Sequence, residues 1–191
     1  GIADLAAKVR KCYFSVPKEK RSPGLRITVS ASVFVPKSHT PFQWAAQLDK
    51  ETVQRRQKML KAEISKLKGV DFKYHESDVS YIEAVFARGD RRCAEVLARA
   101  SELGCEFDGW TEFYDNDKWT QAFKDTGIDP NFYALRARDI DEVLPWAHLD
   151  CGVSMEFLKR EWEHAQKVEI TYDCRKGCVG CGMKRYEGAC R

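Results

Sequence analysis

The run LRITVSASVFV, residues 25 to 35, constrains this chain more than any other stretch. It is rich in β-branched residues, so it predicts a long β-strand. Its two faces differ in kind. Leu25, Ile27, Val29, Ala31, Val33 and Val35 make one apolar face fit to pack beneath helices, while Thr28, Ser30 and Ser32 make the other small and polar. A strand lining an α/β barrel whose lumen holds a cofactor has this pattern, and so does an edge strand with one solvated face. One strand cannot make a sheet, and the other strand candidates are the short segments VDFKYH and KVEITY.

Helices are predicted on both sides of the strand. Ile2, Leu5, Ala6, Val9 and Tyr13 recur at helical spacing over residues 2 to 14, and Asp49 caps a second helix over 50 to 67. Helix, strand, helix and strand in this order read as repeating β/α units whose neighbours lie outside the chain. The first helix has no initiating Met and no N-cap, as expected of a chain that begins inside an element.

The rest turns helical. Ser80 and Glu83 have capping-box spacing for a helix ending near Gly89, Asp90 is placed to cap the next, and Gly104 to stop it. Cys93, Val96, Leu97, Ala100 and Leu103 share one face of that helix, which makes Cys93 a core residue. Beyond it, Phe107, Trp110, Phe113, Tyr114, Trp119, Phe123, Phe132, Tyr133 and Trp146 lack an interleaved basic pattern, so they predict a compact aromatic core rather than a base-stacking surface. Asp129 and Pro130 read as cap and first helical residue. A last amphipathic helix carries Val153, Phe157, Leu158, Trp162 and Ala165 on one face.

Four of the eight cysteines fall in the last eighteen residues: Cys174, Cys178, Cys181 and Cys190. Thiolates are soft ligands for zinc or iron-sulfur clusters, and Gly177, Gly180 and Gly182 let a short loop fold tightly around one. Two disulfides in an exported chain are the competing reading, but no apolar signal segment supports export and no run approaches a membrane span. The expected setting is cytoplasmic, without membrane contact. A hydrophobic share of 43% is enough for a core, and a net charge of +3 is too small to argue for nucleic acid by itself. Arg175, Lys176, Lys184, Arg185 and Arg191 make the tail locally basic.

RITVSASVFVPKSHTPFQWAAQ (26 to 47), SYIEAVFARGDRR (80 to 92), FDGWTEF (107 to 113), DPNFYALRARDIDEVLPW (129 to 146) and DCR (173 to 175) together span nearly the whole chain. In combination they resemble the C-terminal portion of radical S-adenosylmethionine proteins of the cobalamin (B12)-binding-domain type. The resemblance implies an α/β fold: the last units of a partial (β/α) TIM-like barrel over residues 1 to 103, an aromatic-rich helical region over 104 to 172, and a cysteine-rich metal-binding tail over 173 to 191. The strand ending at Val35 would be roughly the sixth of the barrel. Ser30, Ser32, Phe34, Pro36 and His39 would then face or rim the cofactor, with the loop through Gln43 near substrate or the cofactor's adenosyl part.

Cys174, Cys178 and Cys181 share the C-x3-C-x2-C spacing of that family's catalytic [4Fe-4S] motif, but the motif follows the first barrel strand and these stand ten residues from the end. The resemblance therefore implies that the catalytic cluster, the S-adenosylmethionine segments and the cobalamin domain lie upstream. Tails of the family tend to end in CGxC, whereas this chain has Met183 at the last position. Cys190 is then the expected fourth ligand of a zinc site or an auxiliary iron-sulfur cluster, with an open three-cysteine site or loss of the metal as alternatives. The implied function is that of a C-terminal segment completing a barrel and carrying a secondary metal site, silent by itself, with the upstream barrel and cobalamin-type domain as partners. A competing reading is a zinc-binding module whose basic tail docks RNA or a partner protein. Arg91 and Arg92 are candidate anion ligands, and His148 and Cys151 candidate extra metal ligands.

Overall fold

The computed structural model describes residues 1 to 186 and Gly188. The strand pattern yields a shorter strand than expected: β1 is Ile27–Ala31, and it pairs in parallel with β2, Val70–Tyr74, from Ile27 opposite Val70 to Ala31 opposite Tyr74. Between them runs helix α2, Lys50–Ile64, so β1, α2 and β2 form one βαβ unit. The Asp49 carboxylate accepts the Thr52 N–H at 2.7 Å, as expected of that cap. The preceding helix α1, Ile2–Ser15, and α2 pack against each other, α1 touching β1 and α2 touching β2.

Helices hold 49% of the residues and strands 5%, which overturns the expected partial barrel. The described residues form a mainly helical protein with one two-stranded sheet. KVEITY supplies no third strand. Val168 takes a left-handed φ of 59°, and Val168 and Ile170 are 87% and 94% exposed, so this segment forms no strand. Alternating polarity reports which side chains prefer burial; it does not count the partner strands.

The main core lies among α3 (Ser77–Arg88), α4 (Cys93–Glu102), α5 (Asn116–Thr126) and α6 (Pro130–Ala134), where Val85, Val96, Ala100, Trp119, Phe123 and Tyr133 are buried. Cys93 sits in it, and burial pushes its thiol pKa up. Two boundaries differ from expectation. Ser80 is buried inside α3 rather than at its start, and Asp90 bonds the Arg92 N–H at 3.0 Å in a turn before α4. Gly104 at φ 80° and Gly127 at φ 66° end α4 and α5 in the left-handed conformation that suits glycine.

A second core joins Trp44, Leu144, Trp146 and Leu158, the last from helix α7, Met155–Gln166. The aromatics thus divide. Trp119, Phe123, Tyr133 and Trp146 are buried as expected, but Phe107, Trp110 and Phe113 are 69%, 62% and 56% exposed, which corrects their assignment to the core. They stand on a loop between α4 and α5 that no element covers.

Candidate functional site

The loop after β1 is held by a buried amide. Gln43 is wholly buried in a 3-10 turn, Pro41–Trp44; its side-chain carbonyl accepts the His39 N–H at 3.1 Å and the Trp146 indole N–H at 2.8 Å. His39 has a left-handed φ of 55°, a conformation disfavoured for a residue bearing a Cβ. The Gln43 bond and a bond from the Thr40 hydroxyl to the Lys37 carbonyl at 2.8 Å hold the bend in place. Gln43 therefore fastens the loop and is not available to substrate, contrary to the expectation for that end of it.

The five expected cofactor contacts separate into four places. Ser30 is exposed on the open polar face of the sheet, with Thr28, Asp71 and Lys73 beside it, and Ser32 is exposed just past the end of β1. Phe34 is 59% exposed, and its ring meets Phe42 edge-on at 5.3 Å, which in turn meets Trp162 of α7 at 5.7 Å. Pro36 is buried and presents no surface to a ligand. His39 lines a different cleft, of about 280 Å³, shared with His148, Asp150, Cys151, Ser154 and Arg185.

That cleft is where the tail returns to the body. The Ser154 N–H donates to the Cys181 carbonyl at 2.8 Å, and the Arg185 guanidinium and Tyr186 hydroxyl bond the Asp150 carboxylate at 2.8 and 2.9 Å. The Gly152 N–H, the Tyr186 hydroxyl and Arg185 hold the Asp150 pKa below its ordinary value. Close packing requires glycine at 152: φ is 88°, and a Cβ there would lie 2.5 Å from the Met183 sulfur. His148 and Cys151, singled out in sequence as extra ligands, thus stand beside His39 and the tail. Sequence reasoning missed Asp150, Arg185 and Tyr186, because nothing local signals an ion pair that spans 35 residues.

The tail cysteines are not gathered. Cys174 and Cys178 are exposed free thiols and Cys181 is a half-buried one, and among the described residues no three His, Cys, Asp or Glu side chains converge on a metal position. Cys190 lies outside the described residues. The donor chemistry of these thiols suits zinc or an iron-sulfur cluster, but the three described cysteines do not by themselves form a ligand set for either.

One arginine of GDRR is also committed. Arg92 bonds the Asp90 carboxylate through Nε and Nη2, the latter at 2.7 Å, and so is occupied by its own turn; Arg91 is exposed beside Trp146 and His148. Sequence reasoning gave Arg88 no role, yet it is wholly buried. It donates to the carbonyls of Tyr133 and Ala134 at 2.6 and 2.7 Å and to that of Arg136 at 2.7 Å.

No helix among the described residues is long and apolar enough to cross a membrane. No family model, characterised protein or solved structure matches the chain.

Proposed function

We propose that the chain is a C-terminal segment of a radical S-adenosylmethionine enzyme of the cobalamin-domain type, silent by itself and working against the upstream part of the same enzyme. The observation that carries this reading is the open face of the βαβ unit. Parallel sheets are stable when both faces are covered, and this pair of strands leaves Thr28, Ser30, Asp71 and Lys73 uncovered. A small polar face of that kind, followed by an exposed Phe34 and the anchored bend at His39, is suited to border a cofactor held largely by other residues. When bound, S-adenosylmethionine and its reduced cluster would supply the radical. Ser30 and Ser32 would offer hydroxyls, Phe34 an aromatic edge, and His39 an imidazole on a backbone bend held by Gln43.

In this reading the tail thiols hold zinc or an auxiliary cluster once they are drawn together, with Cys190 completing the set. The described cysteines are all free thiols, in keeping with a reducing, cytoplasmic setting.

The test is anaerobic reconstitution of the full-length enzyme containing this segment, with S-adenosylmethionine and a strong reductant. Formation of 5′-deoxyadenosine, reduced at least tenfold by Phe34→Ala with the cluster spectrum unchanged, is the expected result. An enzyme that forms no 5′-deoxyadenosine and no methylated product overturns the reading. Elemental analysis of the same sample separates zinc from iron in the tail.

A further inference from the structure

Charge is divided along this chain far more sharply than its total reveals. Residues 1 to 75 carry 16 Lys and Arg against 6 Asp and Glu, a net charge of +10, whereas residues 76 to 191 carry 16 against 23, a net charge of −7. The positive half is the α1–β1–α2–β2 unit.

Within it α2 carries a cluster of exposed cations. Helix α2 buries Val53 and Ile64 inward and turns Arg55, Arg56, Lys58 and Lys61 to solvent. The ion pairs near the ends of this helix join Lys50 to Asp78 and Lys66 to Glu63, and among the described residues none engages the four cations between them. Lys8 and Lys11 are exposed on α1, which packs against α2, and Lys66 and Lys68 extend the surface beyond the helix end. The basic residues of the tail are placed differently. Arg175 is bound to Asp173 and Arg185 to Asp150, so the tail presents fewer free cations than its sequence promises.

We propose that the exposed face of α2 is a binding surface for single-stranded RNA, an assignment independent of the radical reading. Arg55, Lys58 and Lys61 recur every third residue, which sets them about 4.5 Å apart along the helix axis. At roughly 100° per residue each step of three also turns the next cation about 60° around the axis, so Arg55, Lys58 and Lys61 form a band that curves over the exposed side of α2. A flexible single strand can follow such a band with successive phosphates. A lone small anion would want converging donors, which a convex helix face does not offer. A membrane would want an apolar face on the same helix to enter the headgroup layer, and Met59 is the one large apolar side chain exposed on α2. In a cell, single-stranded polynucleotide is chiefly RNA, which decides between the two nucleic acids.

The probe is a fluorescein-labelled twenty-nucleotide poly(U), followed by anisotropy with the whole chain. Binding is expected at 50 mM salt, weakened roughly 50-fold at 200 mM if about four phosphates are neutralised. The variant R55Q/R56Q/K58Q/K61Q, which keeps good helix formers at exposed positions, should bind at least tenfold more weakly with a flatter salt dependence and an unchanged far-UV circular dichroism spectrum. Bound poly(U) should also protect Lys58 and Lys61 of the unaltered chain from acetylation, a readout that does not depend on the variant's folding. Absence of binding at 50 mM salt, equal binding by the variant, protection confined to the tail lysines, or tighter binding to duplex DNA or to phosphatidylserine vesicles would each overturn the proposal.

Discussion

The Gln43 side-chain carbonyl accepts the Trp146 indole N–H at 2.8 Å, joining the loop after β1 to a segment 103 residues further along the chain. Gln43 also holds the His39 N–H, and its amide nitrogen lies 3.5 Å from the Met155 sulfur at the start of α7. A single buried amide thus sets the bend at His39, the seat of Trp146 and the entry to the last helix. Gln43→Ala strands two donors, and the expected loss is about 2 to 4 kcal/mol, read by urea denaturation. Trp146→Phe leaves Gln43 its His39 bond and should cost less than Gln43→Ala in hydrogen bonding, so a larger loss for the tryptophan variant would assign the energy to packing instead.

Arg88 is a buried cation whose work is done on backbone. Its guanidinium bonds three carbonyls at and beyond the end of α6, while burial and the neighbouring Arg138 and Arg136 push its pKa down to about 10. Arg88→Ala leaves those carbonyls unpaired and should cost roughly 3 to 5 kcal/mol. Arg88→Lys should recover little of this, because an ammonium cannot reproduce the planar fork that spans three acceptors. Thermal unfolding of the two variants side by side makes the comparison.

Asp90 ties stability to acid. Its bonds from Arg92, with help from the Tyr133 hydroxyl, lower its pKa from 3.8 to about 2. A carboxylate with a depressed native pKa contributes stability that is complete above its unfolded value and is lost as pH falls through its folded value. The stability gap between the unaltered chain and Asp90→Asn should therefore be constant above about pH 4 and close as pH approaches 2. A gap independent of pH across that window would show that the charge of Asp90 contributes nothing.

Gly152 governs the docking of the tail. At φ 88° a side chain is strained at this position, and its Cβ would meet the Met183 sulfur at 2.5 Å and the Tyr186 ring at 3.2 Å, so it would have to push the docked tail aside. Gly152→Val should release residues 181 to 186 and expose Lys184 and Arg185 to trypsin. Cleavage there is expected to accelerate at least tenfold, while the main core unfolds at nearly the same temperature. Unchanged cleavage would mean that the Asp150 pairs hold the tail without close packing.

The elements legible in sequence were those whose signals are local. Asp49 and Asp129 cap the helices they were expected to cap, because a carboxylate and an N–H two or three residues on meet without outside help. The two faces of LRITVSASVFV were read correctly, and so was Cys93 in the core. The barrel was not present, since β1 finds one partner and KVEITY finds none. The aromatic run was misread in part. Phe107, Trp110 and Phe113 share the composition of Trp119 and Phe123, but only the latter two lie on a helix face that α3 and α4 cover.

The sequence by itself determined where most of the helices and the two short strands fall, which face of each prefers burial, and that three thiols crowd one glycine-rich stretch. Those properties depend on side-chain size, polarity and spacing within a few residues. Only the tertiary structure decided that Gln43 fastens a loop, that His39 shares a cleft with His148, Cys151 and the returning tail, that Arg185 is spent on Asp150 while the cations of α2 stay free among the described residues, and that Cys174, Cys178 and Cys181 do not converge on one metal position. Each of these depends on which groups distant in the chain come together, because a buried donor or a charge takes the partner that folding brings within reach.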